Sequence, residues 1–544
     1  MHALRLTLTD PRFPAAAASG ALTAQPEARP ALARALGAVS ATAGAAGTDT
    51  VTDADVLTDA LAEALDADGV AVHRPQLGTL VATVPTDAEA RHEARAAVDA
   101  VDDEAVRLRS AVKAHDGFFT TFFISPYSRY IARWCARRGL TPNQVTTASL
   151  LTALIAAGCA ATGARGGYIA AGVLLLVSFV LDCTDGQLAR YALKYSTMGA
   201  WLDATFDRAK EYAFYAGLAL GAARNGDDVW ALALGAMVLM TCRHVVDFSF
   251  NEANHDATAN TSPTAALSDR LDNLGWTVWA RRMIILPIGE RWAMIAVLTA
   301  ATSPRIVFWA LIIGCAFGAC YTTAGRVLRS LTRKAKRTDR AAQALADLAD
   351  SGPIASAAAK AARRLPAPAP VTALLAAVLM VAGALVLPFG DARLVAVAAG
   401  YAILSGAAVA RPLKGALDWL VPPLFRAAEY TTVLVLAARS DAPQALPAAF
   451  GLVAAVAYHH YDTVYRIRGG TGAPPAWLVR VTGGHEGRTL LVTVLAALLA
   501  DRGDDFTLAL TAMAVAVALV VLVESIRFWV SSGAPAVHDE GETA

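Results

Sequence analysis

The fold of this chain is decided by the stretch Asp182-Cys-Thr-Asp185-Gly186-Gln-Leu-Ala189-Arg190, which continues after eight residues as Gly199-Ala-Trp-Leu-Asp203-Ala-Thr-Phe-Asp207. Apolar residues lie on both sides of it, from Ile169 to Leu181 before it and at most positions after Tyr212. An ionisable side chain inside a membrane-spanning helix costs roughly 2.5–3.5 kcal/mol. Four aspartates in such segments therefore indicate a membrane protein with a built polar site.

Each pair of aspartates is spaced to lie on one helix face. Asp182 and Asp185 are three residues apart, and Asp203 and Asp207 are four apart, and both spacings bring side chains to the same face of an α-helix. Two such faces turned towards each other form an oxygen-rich pocket, which suits hard divalent cations. In the alternative interpretation the aspartates only pair with neighbouring arginines, and no metal is needed.

The stretch resembles the signature of the CDP-alcohol phosphotransferase family, also called CDP-alcohol phosphatidyltransferases. That signature is Asp-x2-Asp-Gly-x2-Ala-Arg-x8-Gly-x3-Asp-x3-Asp, and all eight of its fixed positions match here. The resemblance covers about residues 111–337. It implies a transferase in a membrane, with a CDP-alcohol as donor, a hydroxyl compound as acceptor and CMP as the released product.

The resemblance also assigns roles to the matching residues. It implies two divalent ions, Mg²⁺ or Mn²⁺, and makes Asp207 the base that takes the proton of the acceptor hydroxyl. The metal ligands it implies are Asp182, Asp185, Asp203 and Asp207. The residues expected to contact the CDP moiety are Gly186, Ala189, Arg190 and Gly199, where the glycines let the nucleotide approach the helix backbone.

Three further residues are candidates with an alternative each. Asn143 opens the first span and either contacts the nucleotide or caps the helix. Arg208 and Lys210 could bind an acceptor phosphate, because basic side chains bind phosphate oxygens. Arg208 could instead pair with Glu211.

The composition is that of a polytopic membrane protein. The 544 residues are 56% hydrophobic, and the mean hydropathy is +0.44. A net charge of +1 gives no indication of a nucleic-acid partner. The six cysteines are scattered and contain no CxxC pair, so no disulfide framework is predicted.

Apolar runs predict twelve membrane spans in two sets of six. The first set is expected near 145–164, 167–188, 200–221, 229–249, 284–302 and 305–326, and the second near 369–388, 392–410, 417–437, 444–463, 486–500 and 507–530. Arg and Lys concentrate in alternate loops, which the positive-inside rule places in the cytoplasm. Both termini and the aspartate site are therefore expected at the cytoplasmic face of the cell membrane.

These patterns predict an all-α polytopic membrane protein preceded by a small soluble α/β domain. The expected parts are the α/β domain at 1–104, the phosphotransferase unit at 105–340, a linker at 341–364 and a second six-helix unit at 365–544. The first part resembles a nucleotidyltransferase remnant or serves as a docking domain, with strands at 69–73 and 79–84 and a helix capped by Thr86. Aromatic and basic residues mixed over 105–140 predict an interfacial helix in contact with membrane lipid.

The second set of spans looks like a degenerate copy of the first. Arg208-Ala-Lys-Glu-Tyr212 matches Arg426-Ala-Ala-Glu-Tyr430, and His244-x2-Asp247 matches His459-x2-Asp462. The aspartates have no counterpart, because Ile403, Gly406, Val421 and Phe425 stand at or near their places. We therefore predict a non-catalytic second unit. Either it forms a pseudo-dimer with the first unit within one chain, or two chains form a homodimer.

Two alternatives concern function. Twelve spans in two repeats are also typical of a transporter or carrier of polyol phosphates or lipids, but the loss of the aspartates from one half favours an enzyme.

A second polar cluster could hold a metal or be an inherited polar scaffold. It consists of His459, His460, Asp462, His485 and Glu486. Within the enzyme interpretation, CDP-diacylglycerol and a soluble CDP-polyol compete as donors, for phospholipid or inositol-phosphodiester synthesis.

Overall fold

The computed structural model of the chain describes most residues after 86. Its described residues are 4–5, 30–37, 64–65, 67–68, 72–73, 87–113, 116–257, 285–332, 335–364 and 368–531. They divide into two compact units, Met1–Arg109 and Ser110–Ala544.

The N-terminal unit contains little described secondary structure. Strand β1 (Leu4–Arg5) pairs in parallel with β2 (Val72–His73), and helices α1 (Ala88–Asp99) and α2 (Asp103–Ser110) follow. The cap of α1 is Asp87, whose carboxylate accepts a hydrogen bond from the Ala90 amide at 2.7 Å. The predicted cap at Thr86 was therefore wrong by one residue, because the aspartate one position later caps the helix through the Ala90 amide. The predicted strand at 79–84 lies outside the described residues, and the α/β domain stays a prediction.

The membrane unit begins with a short amphipathic helix, α3 (Ser125–Arg137), preceded by one turn of π-helix at Thr120–Ile124. The exposed aromatic residues of the π-helical turn and α3 together are Phe122, Phe123, Tyr127, Tyr130 and Trp134. The guanidinium groups of Arg129 and Arg133 lie 5.0 and 5.2 Å from the centre of the Tyr130 ring. This mixture of aromatic and basic side chains is typical of a helix at a membrane surface.

A helix lies at each of the twelve predicted positions. The first six are α4 (Pro142–Ala161), α5 (Arg165–Ala192), α6 (Thr197–Arg224), α7 (Trp230–Asn254), α8 (Ile288–Ala301) and α9 (Pro304–Thr332). The last six are α12 (Ala369–Val386), α13 (Arg393–Ala408), α14 (Val421–Arg439), α15 (Ala445–Arg468), α17 (Gly484–Leu499) and α18 (Asp505–Ser531). Within the described residues, seven helices are long and apolar enough to cross a membrane. The prediction of an all-α, multi-pass membrane protein is confirmed.

Three shorter helices complete the chain: α10 (Asp339–Ala349), α11 (Pro353–Ala362) and α16 (Ala476–Thr482). The first two occupy the segment 341–364, where we predicted a linker. Their apolar faces are buried, with Leu345, Leu348 and Ala355 fully inaccessible to solvent. These helices have only 11 and 10 residues. Their apolar pattern is therefore too short to distinguish them from a connecting segment in the sequence.

The two sets of six helices pack in the same way. In the first set α4 contacts α5 and α6, α5 contacts α8, and α7 contacts α9. In the second set α12 contacts α13 and α14, α13 contacts α17, and α15 contacts α18. The preceding short helices also correspond, since α3 packs on α5 and α11 packs on α13. The second set thus has the packing order of the first, and it includes a counterpart of α3 that the sequence pattern did not reveal.

The two sets meet through their third and fourth helices. Helix α6 packs against α15, α7 packs against α14, and the two fourth helices α7 and α15 contact each other. This reciprocal arrangement is the kind that a two-fold axis produces between identical subunits.

Candidate active site

The four aspartates lie on α5 and α6, which α4 joins by packing against both. Carboxylate oxygens of Asp182, Asp185 and Asp203 all lie within 4.8 Å of one another. Among the described residues this is the one group of three or more acidic, histidine or cysteine side chains close enough to hold a metal ion. The structure therefore brings together three of the four expected ligands. An all-oxygen donor set of this kind fits Mg²⁺ or Mn²⁺.

The fourth aspartate, Asp207, is held by a lysine. The Lys210 ammonium forms an ion pair with Asp207 Oδ1 at 2.8 Å and a second, shorter one with Asp182 Oδ1. Its Nζ also donates a hydrogen bond to Ser149 Oγ at 3.2 Å. The Lys210 side chain is 1% exposed, so it cannot reach a phosphate outside the cluster. The predicted role of Lys210 in acceptor binding is therefore not supported by its position.

Helix α4 supplies one neutral partner to a carboxylate and one to the lysine. Thr146 Oγ1 donates to Asp185 Oδ2 at 2.5 Å, and Ser149 reaches Lys210 one turn further along. Both side chains are buried, so their hydroxyl groups fix the orientation of the charged groups without adding charge.

The residues expected to contact CDP lie at the cluster's edge. Arg190 Nε donates to the carbonyl of Ala111 at 2.6 Å, and its guanidinium covers Gly186. A Cβ on Gly199 would come within 2.9 Å of Asn143 Oδ1, so Gly199 leaves room for the Asn143 side chain. The cap of α4 is Thr141, which exchanges hydrogen bonds with Gln144. Of the two alternatives for Asn143, helix capping is therefore wrong. Ala189 has no hydrogen-bonding side chain.

Arg208 belongs to a buried ion-pair network next to the cluster. Its Nη1 donates to Glu211 Oε2 at 2.9 Å, which is the pairing considered as the alternative to phosphate binding. Arg291 on α8 also pairs with Glu211, with 3.3 Å between Nε and Oε1. Glu211 thus joins α6 to α8. The Tyr215 hydroxyl also donates a hydrogen bond to Glu211 Oε1 at 2.7 Å.

One residue of the second set of helices completes this network. The Tyr461 ring lies under the Arg208 guanidinium, 5.3 Å from Cζ to the ring centre. The Tyr461 hydroxyl hydrogen-bonds to His244 Nδ1 at 2.6 Å, and that nitrogen is 3.5 Å from Arg208 Nη1. The residue beside Asp207 is therefore held in part by the C-terminal half of the chain.

The second set of helices keeps the ion-pair network and lacks the carboxylate cluster. Arg426 donates to Glu429 at 2.8 Å, and Arg488 Nε donates to the same carboxylate at 2.5 Å, as Arg208 and Arg291 do with Glu211. A further carboxylate, Asp350, lies 2.8 Å from both Arg426 Nη2 and Arg488 Nη2. It comes from the turn between α10 and α11.

The positions that match the aspartates are filled in this second set. Val421 and Phe425 are fully buried, and Ile403 is exposed on the outer surface. A Cβ on Gly406 would lie 2.5 Å from the carbonyl oxygen of Ala355 on α11, so an aspartate does not fit there.

Three members of the histidine cluster of the second set, His485, Asp462 and Glu486, have structural partners. His485 Nδ1 hydrogen-bonds to the Tyr401 hydroxyl at 2.6 Å, and the His485 ring stacks on Phe425 with 4.3 Å between the ring centres. Asp462 accepts hydrogen bonds from Ser525 and Trp529, both at 2.7 Å. Glu486 accepts from the amides of Gly352 and Ala355, both at 3.0 Å. These contacts favour the polar scaffold over the metal site.

Sequence reasoning missed the positions of Lys210 and Tyr461. Lys210 is three residues after Asp207, and this spacing alone places both on one helix face. It was a usable signal. Tyr461 is separated from Arg208 by more than 250 residues, and the sequence contained no signal for that contact.

Two families match different parts of the chain. Residues 139–319 match the CDP-alcohol phosphatidyltransferase family, and residues 339–544 match a family of unknown function (DUF5941). The boundary at 339 coincides with the start of α10.

Relatives of the first part include two inositol phosphate lipid synthases. The chain is 34% identical over 113 residues to the archaetidylinositol phosphate synthase of Pyrococcus horikoshii. This aligned segment covers 21% of this chain and 58% of that protein. It is 32% identical over 130 residues to the phosphatidylinositol phosphate synthase of Streptomyces avermitilis, covering 23% and 51%. A bifunctional IPC transferase and DIPP synthase of Aquifex aeolicus is 32% identical over 114 residues, covering 21% and 26%. The match spans little more than half the length of the first two relatives.

Proposed function

We propose, from the CDP-alcohol phosphatidyltransferase domain that residues 139–319 form, that this chain transfers a substituted phosphoryl group from a CDP-alcohol to an acceptor hydroxyl and releases CMP. The observation that carries the proposal is the group of carboxylates from Asp182, Asp185 and Asp203 within 4.8 Å of one another. Carboxylates at that separation, of which Asp185 is buried, repel each other unless cations neutralise them. The transporter alternative has no such support, because the second set of helices lacks the group.

The carboxylates would hold Mg²⁺ or Mn²⁺, which neutralises the diphosphate of the donor and the departing CMP. The family resemblance implies two ions. Asp207 accepts the proton of the acceptor hydroxyl as its oxygen attacks the β-phosphorus. A new bond forms between that oxygen and phosphorus while the bond from phosphorus to the CMP oxygen breaks. Arg190, at the edge of the cluster, would bind the nucleotide phosphate.

For the substrates, the relatives favour an inositol phosphate as acceptor and CDP-diacylglycerol as donor. Two of the relatives are synthases of inositol phosphate lipids by name. A lipid donor also fits a site on membrane-spanning helices, where acyl chains can enter from the bilayer. A soluble CDP-polyol is the second candidate donor, because the third relative is a bifunctional IPC transferase and DIPP synthase.

A panel of substrates tests this assignment. Purified full-length protein in lipid vesicles is incubated with Mg²⁺, one CDP-alcohol and one acceptor, and CMP is quantified by liquid chromatography. We expect CMP from CDP-diacylglycerol only when an inositol phosphate is added. CMP from a CDP-polyol and none from CDP-diacylglycerol would reverse the choice of donor.

We further propose that the DUF5941 unit is a non-catalytic copy of the phosphotransferase unit and forms a pseudo-dimer with it. The equivalent packing order of the helices supports this, and so does the repeated Arg–Glu–Arg ion-pair network. The reciprocal packing of α6 on α15 and of α7 on α14 is the arrangement expected of two paired copies. The unit's role is to stabilise the active unit and to orient Arg208 through Tyr461.

Tyr461→Phe should lower the rate of CMP release about 2- to 10-fold, since a buried hydrogen bond contributes about 0.5–1.5 kcal/mol. The matched control is Tyr401→Phe, which removes another tyrosine–histidine hydrogen bond of 2.6 Å within the second unit. Rates are measured per folded protein after size-exclusion chromatography. Equal rates for the two variants would show that Tyr461 does not act on the site.

Both termini and the aspartate site are proposed to lie in the cytoplasm. In a variant without the six native cysteines, new cysteines at the exposed positions Lys194 and Ala476 should react with an impermeant maleimide only after the membrane is opened. A cysteine at Asp228, at the opposite end of α6, should react in intact cells. Labelling of all three from one side would contradict this topology.

A further inference from the structure

The ammonium of Lys210 occupies a place among the carboxylates where a metal ion would otherwise be expected. Its Nζ contacts Asp182 and Asp207, one from each pair of aspartates, and it donates to Ser149 as well. An ammonium has three N–H donors, and these three oxygens are its partners. The side chain is 1% exposed, so burial and ion pairing both hold it in place.

The group of three carboxylates overlaps with the partners of Lys210 at Asp182. Asp182, Asp185 and Asp203 have oxygens within 4.8 Å of one another, and Asp207 is outside that group. Asp182 is thus shared between two cation positions of different kinds, with Asp185 and Asp203 at one position and Asp207 at the other. One position suits a divalent ion, and the other already holds a lysine.

The second unit provides an internal comparison. Its segment Phe425-Arg-Ala-Ala428-Glu-Tyr430 matches Asp207-Arg-Ala-Lys210-Glu-Tyr212. The arginine, the glutamate and the tyrosine are kept in both copies, together with the ion pair between the first two. The lysine is absent from the same copy that lacks the aspartates. This agrees with a role of Lys210 towards the carboxylates and not towards the shared helix packing.

We propose that Lys210 takes the place of the second divalent cation, so that this site binds a single Mg²⁺ or Mn²⁺ ion. The proposal rests on the function proposed above and changes the number of ions that the family resemblance implies. A second dication between Asp182 and Asp207 would meet the ammonium at contact distance, and the two positive charges repel each other. The fixed ammonium supplies positive charge beside Asp182 and Asp207 without needing a bound ion.

Counting bound Mn²⁺ tests the proposal independently of activity. Equilibrium dialysis of the purified full-length protein against Mn²⁺ should give one ion per chain, and none in Asp203→Asn. Lys210→Ala, which introduces the residue found at position 428, should raise the count to two. Lys210→Arg keeps the positive charge and should keep the count at one. If the alanine variant is not monodisperse in detergent, Lys210→Gln replaces it.

Two ions bound to the unaltered protein would overturn the proposal. A count of one ion in both the unaltered protein and its uncharged Lys210 variants would also overturn it. Neither result would affect the proposed transferase function, provided that CMP is released. A chain that binds no Mn²⁺ and releases no CMP would instead contradict the proposed function itself.

Discussion

Asp203→Asn should reduce the rate of CMP release by at least about 10²-fold, the loss that follows removal of one preorganised electrostatic group from an active site. Asp203 is the only member of the three-carboxylate group that comes from α6; the other two come from α5. An amide keeps the shape of the side chain but removes the negative charge that attracts a cation. The variant should therefore fold normally and lose both metal affinity and turnover.

The matched control for this variant is Asp228→Asn, which removes an exposed carboxylate beyond the other end of the same helix. It should retain the full rate. CMP is measured at saturating Mg²⁺ and again at a tenfold higher concentration. A rate in Asp203→Asn equal to that of the unaltered protein would show that this carboxylate group does not hold the catalytic metal.

Asp350→Asn should have the largest effect on stability, a loss of about 3–5 kcal/mol, because it removes one partner of a buried ion-pair network. Asp350 is 5% exposed, and its Oδ2 lies 2.8 Å from both Arg426 and Arg488. Burial alone would raise the pKa of Asp350, but the two guanidinium charges lower this pKa well below its ordinary value. A lowered pKa means that the carboxylate contributes stability at neutral pH, and that this contribution is lost only when acid protonates it.

The effect of this substitution is measured as the shift in the unfolding transition in detergent. Asp347→Asn is the matched control, because Asp347 lies on the adjoining helix α10 and its carboxylate accepts a hydrogen bond from a neighbouring residue, Gln343, at 2.8 Å. It should change stability by less than about 0.5 kcal/mol. Equal transitions for the two variants would mean that Asp350 does not connect the short helices to the second unit.

The positions of the twelve long helices could be predicted from the sequence because each is a continuous apolar run. The aspartate group could be predicted because its spacing matches one helix face in each of two neighbouring spans. The pairing of the copies could be predicted only in outline. Arg426 and Glu429 were visible as a repeated pair, but their shared partners Arg488 and Asp350 come from distant segments.

Three features could not be predicted, each for a physical reason. The helices α10 and α11 are short and alanine-rich, so their buried faces do not stand out from a connecting segment. The contact between Arg208 and Tyr461 depends on how two six-helix units pack, which no local pattern encodes. Lys210 shares a helix face with Asp207, but its second partner, Asp182, lies on α5, and that contact depends on how α5 and α6 pack.

The most direct test of this account is CMP release by the purified full-length protein before and after removal of metal. In vesicles containing CDP-diacylglycerol and supplied with an inositol phosphate, we expect CMP to form with Mg²⁺ or Mn²⁺ present. It should stop after EDTA is added and resume when excess Mg²⁺ is restored. CMP formation that continues unchanged in EDTA, or its absence with every donor and acceptor under all metal conditions, would contradict a metal-dependent transferase.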